Sequence, residues 1–216
     1  MGKGIRWGVI GDVHCEDGRL ETSITTLMEA GADTLIQVGD IVDGRGSLER
    51  CVELLKAHDV QTIAGNHERW FLTGEMRELK GATLETDETS RSFLRALPPT
   101  RRFETPKGGL LVCHGVGEDD MANLRPDTRG YALQAVISSL RPLLLDTSLR
   151  FMLGGHTHQR MVRTFEGLTV INAGTLVEHG GDHEPPGFIL LDVEADEVLC
   201  WDFEGDEAKP GESLKV

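Results

Sequence analysis

Apolar residues in this chain come in short runs that close on polar, ionisable blocks. Ile5-Arg6-Trp7-Gly8-Val9-Ile10 ends in Gly11-Asp12 and reads as a buried strand running into a loop. Residues 19–30 suit a helix, and Gly31 is its natural stop. Residues 34–38 predict a second strand, again closed by Gly-Asp. Over residues 48–58 the apolar positions Leu48, Cys51, Val52, Leu54 and Leu55 recur at helical spacing. Residues 60–64 predict a third strand, closed by Gly65-Asn66-His67. Strands alternating with helices give the βαβ rhythm of a largely parallel inner sheet. Ligands of such sheets bind beyond the carboxyl ends of the strands. The polar blocks are therefore expected to converge on one edge.

The rest of the chain is less regular. Residues 89–97 predict a helix stopped by Pro98-Pro99, and 109–113 a strand leading to His114-Gly115. Residues 130–145 form a long apolar helical stretch interrupted at Pro142. Residues 151–153 predict a strand leading into Gly154-Gly155-His156-Thr157-His158. Strands at 161–165, 168–172, 188–192 and 198–203 follow in hairpin-like order. Residues 205–216 are polar and are expected to fray, leaving one domain over residues 1–204.

Composition narrows the function classes. The 216 residues fit one α/β domain, and 39% apolar residues suffice for one sizeable core. A formal net charge of −14 weighs against general binding to nucleic acids or anionic membranes. Bound divalent cations would offset part of that charge. Cys15, Cys51, Cys113 and Cys200 form no CxxC pair and read as free thiols in a reducing compartment. The opening residues lack the apolar run of a signal peptide, and no stretch approaches the roughly 18 apolar residues of a membrane span. A cytoplasmic location is the expectation; the oligomeric state leaves no trace in the sequence.

Of eight histidines, His14, His67, His114, His156 and His158 fall in blocks at the ends of predicted strands. Asp12 and His14 stand at i and i+2, on one side of an extended segment. Imidazole, carboxylate and amide oxygen together suit divalent metals such as Mn, Fe, Ni or Zn. No cysteine stands as a candidate ligand, which argues against a structural zinc cage. Each block alone is weak, since Asp-x-His or Gly-Asn-His is more often a turn; their shared placement at strand ends is the signal. His179 and His183 flank Gly180-Gly181-Asp182 and read as a loop, with His58 near a helix end.

The ordered blocks Gly11-Asp12-Val13-His14, Gly39-Asp40-Ile41-Val42-Asp43, Gly65-Asn66-His67-Glu68, Cys113-His114-Gly115 and Gly155-His156-Thr157-His158 resemble those of calcineurin-like metallophosphoesterases, over residues 5–176. Asn172-Ala173-Gly174-Thr175 is similar to the Asn-Pro-Gly-Ser block of small prokaryotic members. The resemblance implies a two-sheet α/β sandwich flanked by helices. It also implies that Asp12, His14 and His158 hold one metal, that Asn66, His114 and His156 hold another, and that Asp40 bridges them. His67 would serve as acid to the leaving oxygen, with Asp43 orienting it. Hydroxide generated at the two ions, Mn above Fe, Ni or Zn, would attack a small phosphate ester.

Arg69 and Arg45 are candidate substrate contacts beside these blocks. The protein-phosphatase branch carries Asp-Arg-Gly where this chain reads Asp43-Gly44-Arg45-Gly46, one residue longer. Residues 71–89 and 116–149 are candidate substrate-selecting loops. The expected activity is that of a phosphodiesterase. The alternatives are a phosphomonoesterase of the protein or diadenosine-polyphosphate type, and a non-catalytic scaffold on the same fold, like the retromer subunit.

Overall fold

A computed structural model describes residues 5–181 and 184–216. Two sheets pack face to face. The first has the order β11-β10-β9-β1-β2-β3, with β12 also on β10; the second runs β4-β5-β6-β8-β7. In the first, β1 (Arg6–Ile10), β2 (Thr34–Gln37) and β3 (Gln61–Thr62) are parallel, and β9 (Gly187–Asp192) and β10 (Glu197–Glu204) continue antiparallel. In the second, β5 (Gly108–Cys113), β6 (Leu149–Gly154) and β8 (Leu168–Asn172) are parallel, with β4 (Thr100–Thr105) and β7 (Met161–Phe165) antiparallel at the edges. The expected two-sheet sandwich flanked by helices is the fold observed.

Side-chain alternation explains the layers. Along β1, Trp7 and Val9 face the second sheet and pack with Ile36, Val112, Phe151, Leu153 and Ile189. Ile10 faces outward into a core with α1 (Asp17–Glu29) and α2 (Leu48–Ala57), where Leu20, Ile24, Leu27, Val52 and Leu55 are buried. A third cluster packs α5 (Gly130–Leu145) on the outer face of the second sheet through Val136 and Leu140 against Met152, Met161 and Val170. Both sheets are thus covered on both faces, as parallel strands require.

Several expectations change. The tail does not fray: β11 (Glu207–Pro210) and β12 (Leu214–Lys215) both pair with β10. Its polar residues are those of an edge, where charged side chains are the rule. The helix at 130–145 runs on through Pro142. That proline removes the bond to the Ser138 carbonyl, but only three helical residues follow it, so little of the helix is disturbed. Two further elements were unforeseen, the edge strand β4 and the short helix α3 (Asn66–Thr73). The predicted third strand shrinks to two paired residues. Helix α4 (Glu88–Ala96) lies where expected, capped by the Asp87 side chain on the Ser90 N–H. His183 lies outside the described residues.

Candidate metal centre

The parallel strands deliver the polar blocks to one place. Asp12 and His14 follow β1, Asp40 follows β2, Asn66 opens α3 just beyond β3, His114 follows β5, and His156 and His158 follow β6. Ligand atoms of Asp12, His14, Asp40 and His158 lie within 4.8 Å of one another, and so do those of Asp40, His114 and His156. Asn66 Oδ1 sits 2.9 Å from His114 Nε2 and 3.0 Å from His156 Nδ1, joining the second group. All seven candidate ligands are therefore brought together, and Asp40 is common to both groups. His14, Asp40, Asp43, His156 and His158 have φ between 45° and 68°. That left-handed conformation is uncommon outside glycine and clusters at functional sites. Gly65 lets the loops close around this point: a Cβ there would lie 2.3 Å from Asp40 Oδ1 and 2.9 Å from His114 Nδ1.

The protonation pattern shows what the centre is suited to hold. His14 Nδ1 faces the carbonyls of Val42 and Asp43 at 3.1 and 3.0 Å, and His114 Nδ1 faces that of Val38 at 2.8 Å. A carbonyl only accepts, so the Nδ1 atoms carry the protons, and neutral rings turn bare Nε2 lone pairs inward. Those lone pairs meet other acceptors: Asp40 Oδ2 lies 3.1 Å from His114 Nε2, and His158 Nε2 lies 3.2 Å from His14 Nε2. A proton competes for this point: at His114 burial lowers the proton affinity, but Asp40 and Asp12 outweigh it and push the pKa up to about 10, so a proton on Nε2 takes the place a cation would hold. Burial, with Asp40 nearby, raises that of Asp12. A buried cluster of converging acceptors calls for positive charge, and divalent cations fit this donor set.

Beside the centre, His67 Nδ1 donates to Asp43 Oδ2 at 2.7 Å, while its Nε2 lies 3.9 Å from Asp40 Oδ2. Burial lowers the His67 pKa, but the Asp43 hydrogen bond and the Asp40 charge outweigh it and raise the value. Burial raises Asp43, and the hydrogen bonds from His67 and Arg77 outweigh it and hold the carboxyl well below its usual range. Trp70, one turn along α3, packs on the His67 ring at 4.6 Å.

The two arginine candidates fare differently from the metal set. Arg69 gives its guanidinium to Asp120 at 2.8 and 2.9 Å and reaches Glu75 at 3.5 Å, so its fork is occupied by a structural pair. Arg45 is exposed on the loop after Asp43. The arginine that does meet this group is Arg77, which grips Asp43 with both NH groups at 2.8 and 2.9 Å. No sequence signal marks it.

Glu68 was also missed as a functional-site support. Its carboxylate is fully buried and accepts the backbone N–H of Asp40, Ile41, Val42 and Gly65 at 2.6–3.1 Å. The Gly65-x-x-Glu68 spacing of a capping box was the available clue. The Asn172 block braces the far side, with Asn172 donating to the Gly155 carbonyl and Thr175 to that of Asp12.

The sequence profile of the Calcineurin-like phosphoesterase superfamily domain matches residues 5–196. The chain belongs to the calcineurin-like phosphoesterase superfamily. Its fold is that of a metallophosphoesterase from Sphaerobacter thermophilus, at 19% identity and TM-score 0.67 over 94% of this chain and 89% of that one. A novel archaeal phosphodiesterase is 15% identical, with TM-score 0.56 over 98% and 99% of the two chains. Vps29 of Entamoeba histolytica, solved with zinc, is 15% identical, with TM-score 0.54 over 97% and 98%. At these identities the likeness is one of fold. No curated protein matches the sequence. Among the described residues no helix is long and apolar enough to cross a membrane.

Proposed function

We propose that the protein is a dinuclear metal-dependent phosphodiesterase. Asp12, His14 and His158 hold one divalent ion, Asn66, His114 and His156 hold the other, and Asp40 serves both. The observation that carries this reading is the convergence of inward lone pairs on two groups sharing Asp40. Two ions of the Mn class would supply Lewis-acid clamping of the phosphate and a nucleophile at neutral pH. The seven donors include two carboxylates, so the loaded centre keeps positive charge for an anionic substrate. His67, held by Asp43 through Nδ1, turns Nε2 toward the centre and donates its proton to the departing alkoxide. Asp43 accepts from Nδ1 and favours the imidazolium, the form in which Nε2 also carries a proton.

The diester preference rests on size, because 216 residues leave little chain for a large protein-recognition surface. A fold neighbour characterised as a phosphodiesterase accords with it. A phosphomonoesterase is the second reading, favoured by the Gly65-Asn66-His67-Glu68-Arg69 block and the carboxylate at Asp43. A scaffold role accords less well, because His67 and every donor type are in place. The deciding experiment compares bis-nitrophenyl phosphate with nitrophenyl phosphate under Mn, Ni, Zn and Mg. Faster turnover of the diester is expected. Preference for the monoester would install the second reading, and no turnover with any metal would sink the enzyme reading altogether.

A further inference from the structure

The candidate ligand histidines differ in what holds the ring nitrogen that points away from the centre. For His14 and His114 it is backbone carbonyl oxygen, from Val42, Asp43 and Val38. His158 is held differently. Its Nε2 turns inward, 3.6 Å from Asp12 Oδ1, while its Nδ1 lies 2.7 Å from Nε2 of His179. The two rings sit with centroids 4.9 Å apart and planes 36° to each other. His179 is exposed on the segment between Leu176 and β9, outside every block that follows a parallel strand.

We propose that His179 is the positioning residue that fixes the tautomer of His158 and thereby secures the ion at Asp12, His14 and His158; the inference rests on the two-metal reading above. A neutral imidazole has one N–H and one lone pair. For His158 to present a lone pair at Nε2, its proton must sit on Nδ1, and that proton requires an acceptor. His179 Nε2 supplies one. Outer partners of this kind orient a metal-bound imidazole and raise its basicity.

The partners differ in how firmly they fix a tautomer. A carbonyl can only accept, so the orientation of His14 and His114 is unconditional. An imidazole can accept or donate, so His179 holds His158 only in one tautomer, and from an exposed segment. In the other group the outward Nε2 of His156 meets the Asn123 amide at 3.3 Å, so each group has one histidine held by backbone and one by a side chain, and at Asp12, His14 and His158 that side chain is His179. His114, of the other group, is held by the Val38 carbonyl.

The test is metal binding rather than turnover. Metal-free full-length protein is titrated with Mn by calorimetry, and bound metal is counted after equilibration in buffered Mn. Wild type should bind two ions. His179→Ala should weaken one class of site by about 10–100-fold and leave the other unchanged. His179→Asn or His179→Gln, whose side-chain oxygen can accept the same proton, should recover part of the loss. In a His158→Ala background, removing His179 should change nothing further. Wild-type affinities in His179→Ala, or equal weakening of both classes, would overturn the proposal. A raised KM with both ions bound would also overturn it, making His179 a substrate contact. Wild type that binds fewer than two ions would instead remove the two-metal reading beneath it.

Discussion

His67 Nδ1 and Asp43 Oδ2 meet at 2.7 Å, which settles which face of the imidazole looks into the centre. With Nδ1 engaged, Nε2 is the nitrogen left to face Asp40 and a substrate. The His67 side chain hydrogen-bonds Asp43 and none of the seven candidate ligands, and its backbone N–H, which donates to Asp40 Oδ1 at 2.9 Å, survives substitution. A His67→Ala variant should therefore keep its metals and lose turnover selectively. General acid catalysis contributes typically 10²–10⁴-fold. We expect a kcat loss in that range for alkyl phosphate esters and little loss for nitrophenyl esters, whose leaving group needs no proton. A leaving-group series measured on wild type and variant, with metal content counted in both, checks this. Equal losses across the series would take the acid role away from His67.

Glu68 sits beneath the centre and ties the loop at Asp40–Val42 to the start of α3 through four N–H donors. Replacing it with alanine leaves those buried donors without their acceptor. Hydrogen bonds to a charged group are the strong ones, and orphaned buried donors bear the full desolvation cost. The Glu68→Ala variant should lose about 3 kcal/mol of stability, a fall in Tm of roughly 6–12 °C for a chain this size. Activity should fall too, because Asp40 moves with the loop. A thermal melt within 2 °C or so of wild type would show that water replaces the carboxylate.

The convergence of the candidate ligands was legible in the sequence for a physical reason. A parallel strand ends at a fixed edge, so a ligand-type residue just past it has a known destination, and Asp12, Asp40, Asn66, His114, His156 and His158 all arrived there. What binds the loops to one another was not legible. Arg77 reaches Asp43 from 34 residues away, through a loop with no hydrophobic period. Helix α3 has eight residues, too few for a periodic pattern, and its start is announced only by Gly65 and Glu68. Strands β4 and β11 are edges rich in charge, and the same composition reads as loop or tail. His179 was visible as a histidine, but its partner His158 depends on where the segment after Thr175 returns.

Metal should stabilise the protein as well as activate it. The buried carboxylates of Asp12 and Asp40 repel each other, and cations relieve that repulsion. A ligand that binds only the folded state adds about 2.7 kcal/mol at a hundredfold excess over its Kd. Melts with Mn and with a chelator should therefore differ by roughly 5–11 °C. Asp40→Asn should abolish most of that difference, since this carboxylate belongs to both groups. An unchanged melting point on chelation would show that no ion occupies the centre in solution.

Arg77 acts on His67 only through Asp43. Its guanidinium takes both carboxylate oxygens, while Thr83 N–H donates to Oδ1 and Thr83 O accepts from Arg77. This arrangement pins the carboxylate in the one orientation that also receives His67. Removing Arg77 leaves Asp43 bonded to His67 and to the Thr83 N–H but without the fork that grips both oxygens, so the carboxylate is held more loosely. An Arg77→Ala variant should lose about tenfold in kcat toward alkyl esters, since loosening a positioned group costs rate without removing it. It should keep its metal content. The decisive measurement is the double variant with His67→Ala. If Arg77 works through the imidazole, its removal should cost nothing further once the imidazole is gone, giving strong non-additivity. Additive losses would mean that Arg77 contacts the substrate itself.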